Sequence, residues 1–241
     1  CYDKQSLYEG VRDSFDWLDW LHYEKTFNVQ VTGRTSSLSH THFTALEVKN
    51  SITDLQQAVW NKRSNISLDN PDFVIHLHLN NNKAIISLQS SLDSLHKRGY
   101  RPAVGNAPLK ENLASGLINM TQWNGKVSLI DIMCGSGTFL IEAVNQFLEV
   151  PIKIDQVYLF KNWLDFRKDI YLNEKNKAKN KIINYEKLPK IIGCEINKKV
   201  FEQAKVNISF AGLENYIELI NNDFLELQLK LTPGIIICNP P

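Results

Sequence analysis

Four short apolar runs, each closed by a motif of polar residues or glycines, constrain this chain more than any other feature. They are Val127-Ser128-Leu129-Ile130, Ile191-Ile192-Gly193-Cys194, Tyr216 to Ile220 and Ile235-Ile236-Ile237-Cys238. Two stretches between them, Thr138 to Leu148 and Lys198 to Ala211, read as helices. Strands that alternate with helices fold as a parallel, doubly wound sheet. Right-handed crossovers then gather the strand C-termini, and the ligand crevice with them, at one sheet edge. The fourth run is apolar throughout, which predicts a strand buried on both faces.

The first third is of a different kind. Phe27, Val29 and Val31 alternate as on a strand. Phe43, Leu46, Ile52, Leu55 and Val59 recur at helical spacing and predict an amphipathic helix from about His42 to Trp60. Phe73 to Leu79 and Ala84 to Leu88 flank Asn80-Asn81-Asn82, a hairpin whose asparagines tolerate positive φ. Trp17 and Trp20, at i and i+3, are core candidates. The chain therefore divides into a small α+β module, residues 1–93, a basic linker, 94–107, and an α/β domain, 108–241. The second domain opens on a helix from Pro108 to about Gln122, with proline in the first turn.

A chain of 241 residues suits one large or two modest domains. Its formal charge of +1 sets up no global field, so a nucleic-acid partner would be held by local patches. Cys1, Cys134, Cys194 and Cys238 form no CxxC pair, which predicts a reduced, cytoplasmic setting and no metal. His76 and His78 share a strand face without a third ligand nearby. No apolar stretch reaches the roughly 18 residues of a membrane span. The start on Cys1 rather than Met predicts that the natural N-terminus lies further upstream. Oligomeric state leaves no signature.

Each strand end carries chemistry. Asp131-Ile132-Met133-Cys134-Gly135-Ser136-Gly137-Thr138 is a strand-to-helix turn in which two glycines let the backbone approach a ligand. A dinucleotide site would want a third glycine at Leu140, and a P-loop would want Lys at Thr138. S-adenosylmethionine fits better, with its carboxylate at the glycines and its ammonium on Asp131. Glu195 follows the second strand, where an acid accepts from vicinal ribose hydroxyls. A simple βαβ unit would put it about 20 residues beyond the glycine turn. Glu195 lies much further on, which predicts an insertion from about Val150 to Pro189. Asp223 is placed to accept from an adenine amino group, with Phe224 beside the ring; the same residues also suit a plain turn. Asn239-Pro240-Pro241 follows the fourth strand. A base amino nitrogen is a poor nucleophile because its lone pair is delocalised. The Asn239 side-chain oxygen and the Pro240 carbonyl can accept its two N–H bonds and aim the lone pair, while successive prolines fix the acceptors. These three residues are the catalytic candidates.

Leu7-Tyr8-Glu9-Gly10-Val11, Ala45 to Lys49, Leu95-His96-Lys97-Arg98-Gly99-Tyr100-Arg101, Ala107 to Ala114 and Met133 to Thr138, in that order, resemble the THUMP-domain RNA guanine-N2 methyltransferases, among them those acting on bacterial large-subunit (23S) ribosomal RNA. The resemblance implies an RNA-binding THUMP module, N-terminally incomplete. It also implies a Rossmann-like class I methyltransferase domain, C-terminally incomplete, with guanine N2 as methyl acceptor. Ribosomal RNA is the favoured substrate and transfer RNA the other candidate. The family usually has Asp-Pro where this chain has Asp131-Ile132, often Asp at Glu195, and an aromatic residue after Asn-Pro-Pro. Asn-Pro-Pro also serves adenine-N6 and cytosine-N4 DNA methylation, so that enzyme is the alternative. A module that only binds RNA is a third reading. Lys97, Arg98, Arg101 and Lys110 are the candidate RNA contacts. Lys161 to Lys190 holds nine basic against four acidic residues, a pattern shared by phosphate contacts and by a solvated lysine-rich helix.

Overall fold

A computed structural model describes residues 3–103, 109–228 and 233–240. The chain packs as two compact units, Cys1–Asp93 with Gln156–Tyr171, and Ser94–Asp155 with Leu172–Pro241.

The first unit comprises α1 (Lys4–Asp13), α2 (Trp17–Trp20), β1 (Thr26–Gly33), α3 (Thr41–Trp60), β2 (Asn65–Ile66), β3 (Phe73–Asn80) and β4 (Lys83–Leu88). Helix α1 starts on a capping box, with the Ser6 amide donating to Asp3 Oδ1 at 2.8 Å and the Asp3 amide to Ser6 Oγ at 3.1 Å. The sheet runs β2-β1-β3-β4, with β1 parallel to β2 and β3 and β4 antiparallel to β3. Phe27, Phe73, Ile75 and Leu77 on one sheet face meet Leu7, Val11, Val48 and Ile52 from the helices. Asn81 and Asn82 turn the β3–β4 hairpin with φ of 44° and 61°. Trp17 is core, while Trp20 stays partly exposed. His76 and His78 both contact Thr32 Oγ1 at 2.9 Å. Among the described residues no three His, Cys, Asp or Glu side chains group as a metal site, and no helix is long and apolar enough to cross a membrane.

Part of the insertion belongs to this unit. The amides of Leu159 and Phe160 donate to the Ser90 carbonyl at 2.9 and 3.3 Å, and Ser91 bridges Tyr158. Asn162 Nδ2 donates to the Asp72 carbonyl at 3.0 Å, and Asn162 Oδ1 accepts from Lys25 Nζ at 3.2 Å. Trp163 sits edge-on to Trp20, their rings 6.1 Å apart. Phe160 and Trp163 thus anchor the insertion to the first unit, although in sequence it interrupts the second. Helix α6 (Lys168–Lys179) runs on from this segment with no buried residue, as a solvated lysine-rich helix does.

The second unit holds α4 (Glu111–Met120), β5 (Ser128–Asp131), α5 (Thr138–Phe147), β6 (Ile191–Cys194), α7 (Lys198–Phe210), β7 (Ile217–Ile220) and β8 (Gly234–Ile237). The expected start of α4 at Pro108 lies outside the described residues. The sheet is parallel throughout, in the order β7-β6-β5-β8. Leu129, Phe139, Leu140, Ile141, Val144, Ile191 and Ile208 form its core. Strands β5 and β6 are buried along their whole length, but β8 is not: Ile236 is 64% exposed. The expectation of a doubly buried strand fails because β8 pairs only with β5, leaving its other edge and one face uncovered among the described residues.

Candidate active site at the strand C-termini

Chain order puts β6 and β7 on one side of β5 and returns β8 to the other. That reversal makes a switch point beside β5, where open α/β sheets bind ligands. Register aligns the ends: Asp131 pairs with Gly193 and Ile237, and Cys194 with Ile220. Glu195, Asn221 to Phe224, and Cys238 to Pro240 therefore leave the same sheet edge as the turn after Asp131. Pro241 lies outside the described residues.

The turn itself requires glycine. Gly135 has φ 55° and Gly137 has φ 84°, and Gly137 is the N-cap of α5. A Cβ at Gly135 would meet nothing within 4 Å, so the backbone there faces open space. The Cys134 amide donates to the Cys194 carbonyl at 2.8 Å and the Gly137 amide to the Cys134 carbonyl at 2.9 Å. Cys134 is buried, which pushes its thiol well above the usual range and leaves it an inert packing group.

Two carboxylates flank the turn. Asp131 is 1% exposed; its Oδ1 accepts from the Met133 amide at 3.2 Å. Burial, reinforced by Glu195, pushes its carboxyl up to about 7 against the backbone hydrogen bond. No lysine or arginine among the described residues pairs with it. Glu195 accepts from the Gly135 amide at 3.1 Å through Oε2 and from the Asn197 amide at 2.8 Å through Oε1. Asn221 Nδ2 fastens the Glu195 carbonyl at 2.6 Å. Asp223 caps a short 3-10 turn by accepting from the Leu225 amide at 3.0 Å, and Phe224 beside it is half-buried. Asn239 and Pro240 are exposed.

A buried acid lacking a cation, an acid fixed beside open glycine backbone, and a capped Asp next to a half-exposed ring fit S-adenosylmethionine. In that fit Asp131 would take the ammonium, Glu195 the ribose hydroxyls and Asp223 with Phe224 the adenine.

The basic segment before α4 behaves differently from its sequence reading. Arg98 Nε lies 3.6 Å from Glu142 Oε1, and Arg98 Nη1 donates to the Leu95 carbonyl at 3.1 Å. Tyr100, also buried, donates to Glu142 Oε1 at 2.8 Å. Arg101 forms a 3.0 Å ion pair with Glu111 and donates to the Leu109 carbonyl and to Thr138 Oγ1 at 2.8 and 2.9 Å. Both guanidinium groups are thus turned inward, whereas Lys97 and Lys110 face solvent. Alternation of charge and aromatic in the sequence does not distinguish these cases. Their partners, Glu142 and Glu111, come from helices whose other buried positions are mostly apolar.

Comparison with known proteins identifies the chain's relatives. A family model described as "RMKL-like, methyltransferase domain" matches residues 98–241, and one described as "THUMP domain" matches residues 1–89. A protein of Synechocystis sp. (strain ATCC 27184 / PCC 6803 / Kazusa), provisionally named an RNA methyltransferase, is 39% identical over 100% of this chain and 62% of its own length. The ribosomal RNA large subunit methyltransferase K/L of Cellvibrio japonicus (strain Ueda107) is 32% identical over 99% of this chain and 33% of its own. The crystal structure of SMU.472, provisionally a methyltransferase and complexed with SAH, superposes with a TM-score of 0.84 at 25% identity, covering 100% of this chain and 63% of that one. The chain spans less than two thirds of each of these relatives.

Proposed function

The chain belongs to the RMKL-like methyltransferase-domain family and carries a THUMP domain ahead of that domain, and from this we infer that the protein transfers a methyl group from S-adenosylmethionine to the exocyclic N2 amino group of a guanine in RNA, 23S ribosomal RNA before transfer RNA. The cytoplasm is the compartment this reading calls for. One observation carries it. Asp131 ends one of four parallel strands and Glu195, Asp223 and Asn239-Pro240 follow the other three at a single sheet edge, with the reversal of strand order beside Asp131.

When bound, S-adenosylmethionine supplies an electrophilic methyl group on a sulfonium. Asp131 holds the cofactor's ammonium and needs its ionised form to do so. Glu195, its carboxylate already fixed by two backbone amides, accepts from the ribose. The Asn239 side-chain oxygen and the Pro240 carbonyl accept the two N–H bonds of the target amino group, drawing its nitrogen toward tetrahedral geometry. These residues would then act by positioning: as the nitrogen takes the methyl group the S–CH3 bond breaks to leave a neutral thioether, and the proton shed by the amino group would pass to water, so no strong base is required. A paired base cannot reach such a pocket, so the guanine leaves its stack.

The THUMP match and the ribosomal RNA relatives favour RNA over DNA as the acceptor. The test is incubation of the intact protein with labelled S-adenosylmethionine and both nucleic acids. Label recovered as N2-methylguanine in 23S RNA, lost in Asn239→Ala by roughly 100-fold or more in kcat, supports the reading. Label only in DNA, or no binding of the cofactor, overturns it.

A further inference from the structure

Three parts of the second unit meet at the glycine turn: α7, the turn itself and the backbone of Ala103. Asn207 of α7 is 0% exposed. Its Nδ2 donates to the Ser136 carbonyl at 3.1 Å and to the Ala103 carbonyl at 2.9 Å, while its Oδ1 accepts from the Ala103 amide at 3.0 Å. One side-chain amide thus joins the turn between Gly135 and Gly137 to the backbone of Ala103, two residues after Arg101. Two residues further along the chain from Ser136, Thr138 Oγ1 accepts from Arg101 Nη1 at 2.9 Å.

The arrangement is costly to leave half-made. A buried primary amide with partners removed loses more than an exposed one, because the orphaned carbonyls face no water. It is also placed against the backbone between Gly135 and Gly137, which faces open space at Gly135. Ser136 has a glycine at positive φ on each side, and so lacks local stiffness of its own. Its carbonyl is held by a side chain from another helix.

We propose that Asn207 is a positioning residue for the cofactor turn, holding the Ser136 carbonyl against the Ala103 backbone so that Gly135 to Thr138 are set for the methionine end of the cofactor before it arrives. This rests on the S-adenosylmethionine reading above. Asn207 touches no reacting atom; it acts through Ser136. The segment 98–103, with Arg101 on Thr138 and Ala103 on Asn207, thereby becomes part of the cofactor site's support.

The experiment compares intact wild-type protein with Asn207→Asp and Tyr100→Phe, measuring the Kd for S-adenosylhomocysteine by calorimetry and Tm by circular dichroism. Asn207→Asp keeps the size and the acceptor for the Ala103 amide but removes the donor to the Ser136 and Ala103 carbonyls. Tyr100→Phe deletes a buried hydrogen bond of the same segment that does not reach the turn. The expected result is a Kd raised at least roughly ten-fold by Asn207→Asp, with Tyr100→Phe lowering Tm but leaving Kd at the wild-type value. If both variants shift Tm alone, or both shift Kd equally, the positioning role is overturned and Asn207 only stabilises the fold. A wild-type protein that fails to bind S-adenosylhomocysteine sinks the cofactor reading itself, and the proposal with it. Hydrogen exchange on the cofactor-free wild type is the second measurement, independent of any variant. Gly137's amide, bonded to the Cys134 carbonyl, is protected if the turn is held in advance, and exchange at the rate of an open loop overturns the proposal.

Discussion

The Gly135 amide donates to Glu195 Oε2 at 3.1 Å, so the acid that closes β6 already grips the turn that follows β5. A charged acceptor is worth more to an N–H donor than a neutral one. Glu195→Gln keeps the shape but loses the charge and one of the two oxygens that accept from the Gly135 and Asn197 amides. The Kd for S-adenosylmethionine is expected to rise by roughly 10- to 100-fold. Calorimetry that finds the Kd unchanged places the ribose elsewhere.

Asp131 links cofactor binding to pH. Its carboxyl, ordinarily at 3.8, is held at about 7 by burial. A folded-state value raised in this way adds stability below the ordinary value and loses it as pH climbs from about 4 through about 7. The cofactor-free protein should therefore have a lower Tm at pH 8 than at pH 5, and Asp131→Asn should flatten that slope while raising Tm at pH 8. Glu142, raised chiefly by its own burial, stays in place in both proteins, so their difference reports Asp131. Cofactor affinity runs the other way: it weakens below about pH 7 in the wild type and is low at every pH in the variant. A Tm slope identical in both proteins would mean that Asp131 is not titrating in this range.

Arginine and lysine in the segment before α4 should part company. Arg101→Ala strands the Glu111 carboxylate, 4% exposed, with no other ion-pair partner among the described residues. Removing one partner of a buried pair costs about 3–5 kcal/mol, visible as a lower midpoint in urea. Lys97→Ala and Lys110→Ala should leave that midpoint alone. They should weaken RNA binding, and the salt dependence should become shallower by about one unit of slope for each phosphate that is no longer neutralised. Filter binding across a salt series checks this. An unchanged slope for both lysines removes them from the RNA surface.

Gly193 is required for space, not for its backbone angle. A Cβ there would lie 2.4 Å from Leu140 Cδ1, 2.9 Å from Leu219 Cδ2 and 3.1 Å from Cys134 Sγ. Gly193→Ala should destabilise by about 1–3 kcal/mol, the usual range for overpacking a filled core, and displace the Cys134 end of the cofactor turn. Thermal melting and cofactor calorimetry on one preparation read both effects. A wild-type Tm would show that Leu140 and Leu219 repack freely.

The α/β half was legible because its strands are short, apolar and bounded by glycine or acid. Ile191–Cys194 is a strand at the residues expected, and α5 and α7 end within one residue of their expected limits. The hairpin at Asn81 and Asn82 was readable from the backbone preference of asparagine. Other features had no local signal. The two-residue strand β2 exists only through its pairing with Thr26 and Phe27. Whether Arg98 faces solvent or Glu142 depends on a helix more than forty positions away. The exposure of β8 depends on what lies beside it, which an apolar run of four residues cannot state. Asn207 reads as an ordinary polar residue on an amphipathic helix until Ser136 and Ala103 are seen on either side of it.

The placement of Gln156–Tyr171 also fixes an order of events during synthesis. The ribosome delivers α1 to β4 long before it delivers Leu159 and Trp163. Until then the Ser90 carbonyl, the Asp72 carbonyl and the Trp20 ring have no partners from that segment. The buried core of the first unit, Leu7 to Leu79, emerges ahead of that segment, so the late contacts are added to a unit whose core is already available. It is completed only after β5 and α5 of the second unit have emerged, so the maturation of the two units is interleaved in time.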